Sequence, residues 1–327
     1  MSGSEQLTSS QTSSIGAVWP PTVTTHNRLR GFFTEEIVTQ ATAPGFAEQV
    51  AEQQGRLEAL EATDRLTIRA VVHAGALATL EDAGLNVEAA IPLANTGHDD
   101  LVIAYTGYNE PARGEAIRQL AAHHELLVCA DELQPDGKDP MATLQLYGFT
   151  HHTVDRADAE RLAPRFHQLY SAFGYTEQDV IELLGSANNT IAYAQHGEHI
   201  ISTAMAESGS IVVEGLDPLH IIEITEASTH PDYRKRGLYE AISGLLVRQL
   251  LEGQGETINA LYGESNLAMP GVVFAAAKNG RRFSHFDRIS YGLIDPGFGI
   301  LPQNFHVDDG AERRQYNDFA VSYVPLS

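Results

Sequence analysis

Apolar and polar positions along this chain follow two periods, one typical of helices and one typical of strands. In the N-terminal part, alternating or continuous apolar runs predict strands at residues 66–72, 89–92, 101–105 and 126–130. Helical spacing between these runs predicts helices at residues 46–60, 75–83 and 112–124. Cys129 falls within the last apolar run, which favours a buried thiol.

The C-terminal part has a longer and more regular pattern. A strand at 146–153 precedes two helices, at 157–173 and at about 177–185, whose starts carry the capping residues Asp155 and Thr176. The elements predicted next are strands at 190–195, 200–206, 211–213 and 219–229, a helix at 239–252, a strand at 257–262 and a helix at 267–278. Terminal strands are predicted near 282–289 and 319–324, so the fold class is α/β (α+β).

Turn-forming and polar segments divide this pattern into domains. Residues 1–26 are rich in Ser, Thr, Gly and Pro and are predicted to form a disordered tail. Residues 131–142 contain Asp, Gly and Pro and are predicted to be a linker between a domain at 27–130 and a second one at 143–327. A chain of 327 residues is long enough for two such cores.

Composition narrows the function classes. The net charge of −22 argues against binding to nucleic acid, and it means that an anionic ligand needs a local basic patch. The apolar stretches are too short to span a membrane, and the polar N-terminus lacks the order of a signal peptide, so a cytoplasmic protein is expected. A single cysteine allows no internal disulfide, and no residue spacing indicates a metal site.

Candidate chemistry concentrates where strand 219–229 meets helix 239–252. The loop between them reads Arg234-Lys-Arg-Gly237-Leu-Tyr239, so it brings cations and free backbone N–H groups to the start of a helix. That arrangement suits phosphate.

This loop resembles the acyl-donor site of the GNAT superfamily of N-acyltransferases, whose motif is [Gln/Arg]-x-x-Gly-x-[Gly/Ala]. Tyr239 departs from the motif at its last position. The element order of residues 146–327 is similar to the GNAT fold. The residues Glu223, Thr225, Glu226, Ser228, Thr229, Pro231, Asp232, Tyr233 and Arg234 resemble the core pattern of the β-lysine N-acetyltransferase group. Domain 27–130 resembles a degenerate, non-catalytic GNAT-like domain.

The resemblance implies a donor that carries a pantetheine thioester, either acyl-CoA or a phosphopantetheine arm. Ala227, Ser228 and Thr229 would pair with the pantetheine. The pyrophosphate would be held by the side chains and N–H groups of the loop, at Arg234, Lys235, Arg236, Gly237, Leu238 and Tyr239. Asn266, at the end of the following strand, is placed with the donor-binding residues. The acceptor would be the amine of a small metabolite, and no metal is needed.

Acidic residues near the loop are candidates for the proton transfers. Glu223 is the first candidate for the base and Glu226 the second; simple alternation puts them on opposite faces of the strand, although a bulge would change that parity. Glu264, expected at the end of the next strand, is a candidate for gripping a cationic amine. Tyr262 is included as a catalytic candidate.

The general acid departs from the family pattern. The helical position that often carries a Tyr in GNAT enzymes is Ala276 here. Tyr239, Tyr262, His285 or a water are the alternatives, or the thiolate leaves without an acid.

Tyr239 also leaves the donor open, because a phenol at that position would crowd a diphosphate. Its side chain points away, or CoA binds in an altered pose, or the donor is tethered to an acidic acyl carrier protein. Such a partner would meet a basic patch formed by Arg234, Lys235, Arg236, Arg281, Arg282 and Arg288. The alternative to an N-acyltransferase is a catalytically silent GNAT-fold module that binds acyl-CoA or a carrier protein.

Overall fold

The computed structural model describes residues 28–33, 65–72, 86–96, 100–107, 120–135, 137–171, 175–211, 217–254, 257–266, 269–283, 293–294, 298–300, 314–316 and 319–326. Within them the chain forms a four-stranded sheet, an eight-stranded sheet and a two-stranded ribbon. The predicted α/β class is confirmed. None of the helices in these ranges combines the length and the apolar character that crossing a bilayer requires.

The N-terminal sheet has the strand order β1-β2-β4-β3. Its strands are β1 (Arg28–Phe33), β2 (Arg65–Val72), β3 (Asn86–Pro92) and β4 (Asp100–Gly107). β1 and β2 run parallel, and the other pairs are antiparallel. The strands predicted at 66–72, 89–92 and 101–105 are present, whereas the tail 1–26 and the helices predicted at 46–60 and 75–83 lie outside the described residues.

The large sheet has the order β10-β14-β9-β8-β7-β6-β5, and β11 pairs with β14 beside this path. Its strands are β5 (Thr150–Thr153), β6 (Asn189–His196), β7 (His199–Ile211), β8 (Leu219–Thr229), β9 (Ile258–Asn266), β10 (Arg282–Phe283), β11 (Leu293–Ile294) and β14 (Phe319–Tyr323). β12 (Phe298–Ile300) and β13 (Arg314–Tyr316) form the ribbon. Only β8 and β9 pair in parallel within the described sheet.

The helices in the described ranges are α1 (Leu120–Asp131), α2 (Pro140–Leu146), α3 (Ala159–Tyr170), α4 (Glu177–Gly185), α5 (Leu238–Gln254) and α6 (Pro270–Lys278). Two helices, an antiparallel meander, then strand, loop, helix, strand and helix is the order predicted for the GNAT fold. α2 covers the start of the strand predicted at 146–153, which therefore begins only at Thr150.

The strand predicted at 126–130 is wrong, because this segment lies in helix α1. Leu127 and Ala130 are fully buried and pack with Val273 and Ala277 of α6, and that helical spacing buries one side of α1. A short apolar run does not distinguish a buried strand from a buried helix. Cys129 points away from this contact and is exposed, so the expected buried thiol is also wrong.

Each face of the large sheet carries a different pair of helices. α5 packs on one face, where Ile242 and Leu246 meet Ile222 and Ile224 of β8. α3 and α4 pack on the other face against a cluster that includes Met205 of β7. Because side chains alternate along β8, its residues are divided between these two environments.

Candidate functional site

The parallel strands β8 and β9 separate before either of them ends. Their pairing runs from His220 opposite Ile258 to Ile224 opposite Gly263. β8 continues to Thr229 and β9 to Asn266 beyond that last pair. The end of β8 therefore presents backbone groups on the side that β9 has left, which is where an extended ligand can pair with it.

A bulge lies in β8 next to this separation. Thr203 of β7 is opposite Ser228 and Met205 is opposite Thr225, so two residues of β8 face a single residue of β7. Glu226 lies in the bulge with a φ of +42°, a backbone conformation that is uncommon for a residue other than glycine. The parity of β8 changes here, so simple alternation does not predict the direction of the Glu226 side chain.

Two tyrosines hold the bulge from the α3–α4 side. The hydroxyl of Tyr175 donates to Oε1 of Glu226 at 2.6 Å. The hydroxyl of the fully buried Tyr170 lies 3.1 Å from the Glu226 carbonyl oxygen and 3.1 Å from Oγ1 of Thr203. Burial, together with the charge and hydrogen bond of Glu226, raises the pKa of Tyr175, so this phenol stays protonated and donates.

Simple alternation, which puts the two glutamates on opposite faces, fails here, and the alternative of a bulge that changes the parity of β8 holds. Glu226 reaches Tyr175, which packs in the cluster of α3, α4 and Met205. Met205 is in register with Thr225, so this cluster lies on the face to which the odd-numbered positions 223 and 225 of β8 point. The inserted bulge residue brings Glu226 to the same side as Glu223.

Glu223 occupies a more enclosed position than Glu226. It is 5% exposed, and its Oε2 accepts a hydrogen bond from the hydroxyl of Tyr262 at 3.1 Å. Tyr262 is itself buried with Ile221 of β8 and with Ile91 of β3. Glu226, by contrast, is only partly buried. The structure thus gives each candidate base its own tyrosine and leaves Glu226 the more accessible of the two.

The basic loop after β8 has two residues in left-handed conformation, Lys235 at φ +62° and Gly237 at φ +69°. A Cβ on Gly237 would only touch Thr143 at 3.7 Å, so the glycine is needed for its φ and not for space. Nε of Arg234 donates to the Thr229 carbonyl at 3.2 Å. This hydrogen bond and the two left-handed residues fix the turn from which α5 starts.

A cavity of about 640 Å³ opens between the end of β8, this loop, and α6. It is lined by Ala227, Ser228 and Thr229 from β8, by Arg234, Lys235, Gly237, Leu238 and Tyr239 from the loop and α5, and by Met269, Pro270, Phe274 and Lys278 on the α6 side, among others. Its size suits a small-molecule ligand. Most of the residues predicted to bind a donor are therefore brought together.

Arg236 and Asn266 are the exceptions among those predictions. Arg236 stands outside the cavity lining, because its guanidinium lies over the rings of Tyr233 and Tyr147, at 5.1 and 5.7 Å from the centroids. Asn266 ends β9, and its side chain lies outside the described set. Glu264 lies within β9, partly buried, and not at the strand end where it was expected.

The structure also limits the candidates for the general acid. Ala276 is 1% exposed and packs with Leu127 and Phe283, so this position faces α1 instead of the cavity. Tyr239 lines the cavity, which argues against a side chain that points away from the donor loop. His285 and Arg288 lie outside the described residues. In the part of the chain that is described, no group of three or more His, Cys, Asp or Glu residues is arranged to hold a metal ion.

Arg281 is a correction to the predicted basic patch. Its side chain is 4% exposed, so it forms no part of a surface that a partner protein could contact. Arg282, the next residue, is exposed. An arginine next to a turn glycine is ordinarily a surface residue, and nothing in the sequence alone signals this burial.

Sequence reasoning missed three further residues of the site. Tyr170 and Tyr175 hold Glu226 from α3 and from the segment before α4, far away along the chain. Lys278 lines the cavity from α6, where its ammonium group donates to Oε2 of Glu240 at 3.2 Å. Only Lys278 had a signal in the sequence, as a cation near the end of a predicted helix beside the loop.

Comparisons with known proteins add a limited likeness. No protein-family model matches this chain, and no curated protein matches it at a significant level. The solved structures that resemble it include Arabidopsis thaliana NAA60 in complex with acetyl-CoA, at 12% identity and a TM-score of 0.37, over 54% of this chain and 97% of that one. An N-acetyltransferase from Staphylococcus aureus Mu50 is similar at 12% identity and a TM-score of 0.34, over 54% and 97% of the two chains. A ribosomal-protein-alanine N-acetyltransferase from Brucella melitensis biovar Abortus 2308 is similar at 17% identity and a TM-score of 0.27, over 32% and 72%. Likenesses of this size establish neither a family nor an activity.

Proposed function

We propose that this protein is an N-acyltransferase of the GNAT type, which moves an acyl group from a pantetheine thioester to a primary amine. The single observation that carries the proposal is the separation of β8 from β9 beside a bulged carboxylate and a cavity lined by a basic loop. An extended thioester placed along residues 227–229 has its reacting carbonyl near Glu226. The same arrangement leaves the loop free to hold the donor phosphates.

The donor end of the site supports a phosphate-bearing ligand. Arg234 and Lys235 are exposed at the cavity, and the N–H groups at the start of α5 carry the partial positive charge of the helix. On a protein with a net charge of −22, such a local cluster concentrates an anion where the overall field repels it. Acyl-CoA is the donor that we place first, because it needs these cations and no further partner protein.

Glu226 is the base that we place first in this reaction, ahead of Glu223. It adjoins the residues that line the cavity, and it is only partly buried. The carboxylate takes a proton from the ammonium form of the acceptor, and the freed nitrogen attacks the thioester carbonyl carbon. The C–N bond forms, the C–S bond breaks, and the leaving thiolate takes up the second proton, which the attacking nitrogen releases as it becomes an amide. A backbone N–H freed where β8 and β9 part is suited to stabilise the oxyanion.

The acceptor approaches from the α3–α4 side of the sheet, where the side chains of Glu226 and Tyr175 meet. We propose the amine of a small metabolite as acceptor, because the base is partly enclosed between β8 and the segment before α4. A silent module would not need a carboxylate held in a bulge.

Two measurements test this function. Saturating CoA is expected to raise the melting temperature, since a ligand that binds only the native state stabilises it by about 2.7 kcal/mol at 100 times its Kd. Acetyl-CoA with a panel of small amines is expected to release free thiol over time. Glu226→Gln is expected to lower that rate about 100- to 10,000-fold, as for a lost general base. An unchanged rate in Glu226→Gln would remove Glu226 from the mechanism.

A carrier protein that bears the same phosphopantetheine arm remains a prediction about the donor. Arg234 and Lys235 are exposed and suit an acidic partner, although Arg281 does not contribute to that surface. A melting temperature that CoA leaves unchanged, together with turnover on a loaded carrier protein, would favour the carrier.

A further inference from the structure

Arg281 presents a buried guanidinium that the proposed reaction does not yet use. The residue is 4% exposed, and its Nε and Nη2 atoms have no hydrogen-bond partner among the described residues. A guanidinium keeps its charge in proteins, so burying it with two of its nitrogen atoms unpaired among the described residues is costly. The buried guanidinium of Arg281 is therefore suited to bind an anionic group of a ligand.

The position of this guanidinium is set by the end of α6. Gly280 follows the end of α6 with a φ of +78°, and the N–H of Arg281 then donates to the Ala276 carbonyl at 3.1 Å. The side chain reaches back to the strands, where Nη1 lies 2.7 Å from the point that a Cβ on Gly263 would occupy. The Ile224 carbonyl oxygen lies 2.8 Å from that same point. Ile224 and Gly263 are the last pair before β8 and β9 separate, so the charge lies at the base of the gap.

The guanidinium also lies on the donor side of the sheet. Ile224 belongs to the cluster under α5, on the face opposite to α3 and α4. Tyr239, which lines the cavity, interacts electrostatically with Arg281. Burial lowers the pKa of Arg281, and the interaction with Tyr239 opposes that effect. Tyr239 thus links the lining of the cavity to the buried charge.

We propose that Arg281 receives a carboxylate at the far end of the transferred acyl group, so that the donor is a monothioester of a dicarboxylic acid. This inference rests on the proposed acyl transfer and adds the class of acyl group to it. A thioester carbonyl near Glu226 directs its acyl chain toward the gap between β8 and β9, where the guanidinium lies. The planar fork of arginine matches a carboxylate with two parallel hydrogen bonds.

The chemical step is unchanged by the carboxylate. The acceptor nitrogen bonds to the thioester carbonyl carbon, the C–S bond breaks, and the thiolate leaves with the electron pair. The distal carboxylate stays ionised beside Arg281 throughout and departs in the product, which is an amide with a free acid. The need for an anion at this depth disfavours acetyl as the natural group.

A matched pair of donors tests the proposal. Succinyl-CoA and butyryl-CoA carry four-carbon acyl chains that differ in a terminal carboxylate against a terminal methyl. Calorimetric titration of the wild-type protein is expected to give a Kd for succinyl-CoA that is about tenfold lower or more, which is the usual effect of a hydrogen-bonded charge pair. Arg281→Met is expected to abolish or reverse this ratio, and Arg281→Lys to retain part of it. A wild-type ratio near one, or an unchanged ratio in Arg281→Met, would overturn the proposal.

The stability of the unliganded variant separates this role from a structural one. Arg281→Met removes a buried charge that is incompletely hydrogen-bonded among the described residues, so this variant is expected to melt at or above the wild-type temperature. A large fall in its melting temperature would assign the arginine to the fold and refute the inference. If that variant does not fold, the wild-type ratio and Arg281→Lys decide. If Arg281→Met loses turnover equally with both donors and keeps the wild-type ratio of the two Kd values, Arg281 acts at the leaving thiolate, and the proposal is refuted. Failure of CoA itself to bind would instead refute the acyltransferase function.

Discussion

Replacing Tyr175 with Phe is expected to move the acidic limb of the pH–rate profile. The change deletes one hydroxyl, which donates to Oε1 of Glu226 at 2.6 Å, and leaves the ring to pack in its cluster. A hydrogen bond to an ionised carboxylate favours the ionised form. If Glu226 is the base, the variant needs a higher pH to generate it.

The size of the shift follows from the strength of that bond. Hydrogen bonds to charged groups contribute about 1.5–3 kcal/mol, and both partners here are only partly buried, so the lower end applies. At about 1.4 kcal/mol per pH unit, the acidic limb of kcat/KM moves up by about one unit. The pKa of Tyr175 is raised first by burial and then by the charge and hydrogen bond of Glu226, so the phenol stays protonated and donates this bond.

Tyr262→Phe provides a matched control. Tyr262 donates to Glu223 at 3.1 Å, so it holds the other candidate base as Tyr175 holds Glu226. Thiol release from acyl-CoA is measured across the pH range with a fixed amine for the wild type and both variants. Their melting temperatures are measured to show that both variants remain folded. A limb that stays in place in Tyr175→Phe and moves in Tyr262→Phe would make Glu223 the base and refute the assignment of Glu226.

Three further outcomes test the backbone of the site. Gly237→Ala is expected to lower the free energy of unfolding by about 1–2 kcal/mol because of the positive φ, and to weaken CoA binding. Lys235→Gly is expected to keep that free energy and to weaken CoA binding because a cation is lost. Gly263→Ala is expected to lower the free energy of unfolding by about 1–3 kcal/mol because its Cβ would meet Arg281 and Ile224. Gly253→Ala is the control in open space on α5, and it is expected to raise that free energy by about 0.5–1 kcal/mol. Tyr170→Phe is expected to cost about 1–3 kcal/mol by leaving buried polar groups unpaired. Urea unfolding and titration with CoA measure these effects, and wild-type values for Gly237→Ala or Gly263→Ala would contradict the geometry.

The sequence placed the residues around the cavity well because most of them are close together along the chain. The bounds of β8 were predicted to the residue, since a β-branched run ends at a turn with proline. The basic loop and the start of α5 follow directly, so residues 227–229 and most of the loop could be placed together. The residues that line this part of the cavity are therefore also neighbours in the sequence.

The surroundings of Glu226 were harder to predict because they depend on residues that are distant in the sequence. At the bulge two residues of β8 lie opposite a single residue of β7. The sequence of β8 alone does not show how many residues of β7 lie opposite it. Tyr170 and Tyr175 look like ordinary core aromatics in the sequence. Arg281 is buried only because α6 turns back at Gly280, and composition alone places arginine at the surface.

The bulge connects the two halves of the proposed site. One additional residue in β8 turns the Glu226 carboxylate toward Tyr175 and the α3–α4 side. The residues that follow, 227–229, line the cavity on the donor side. A regular strand at this position would direct Glu226 to the donor face, among the apolar contacts of α5, and the base and the thioester would no longer be adjacent across the sheet. The strained φ of Glu226 is therefore the local cost of turning its carboxylate to the α3–α4 side while residues 227–229 line the cavity.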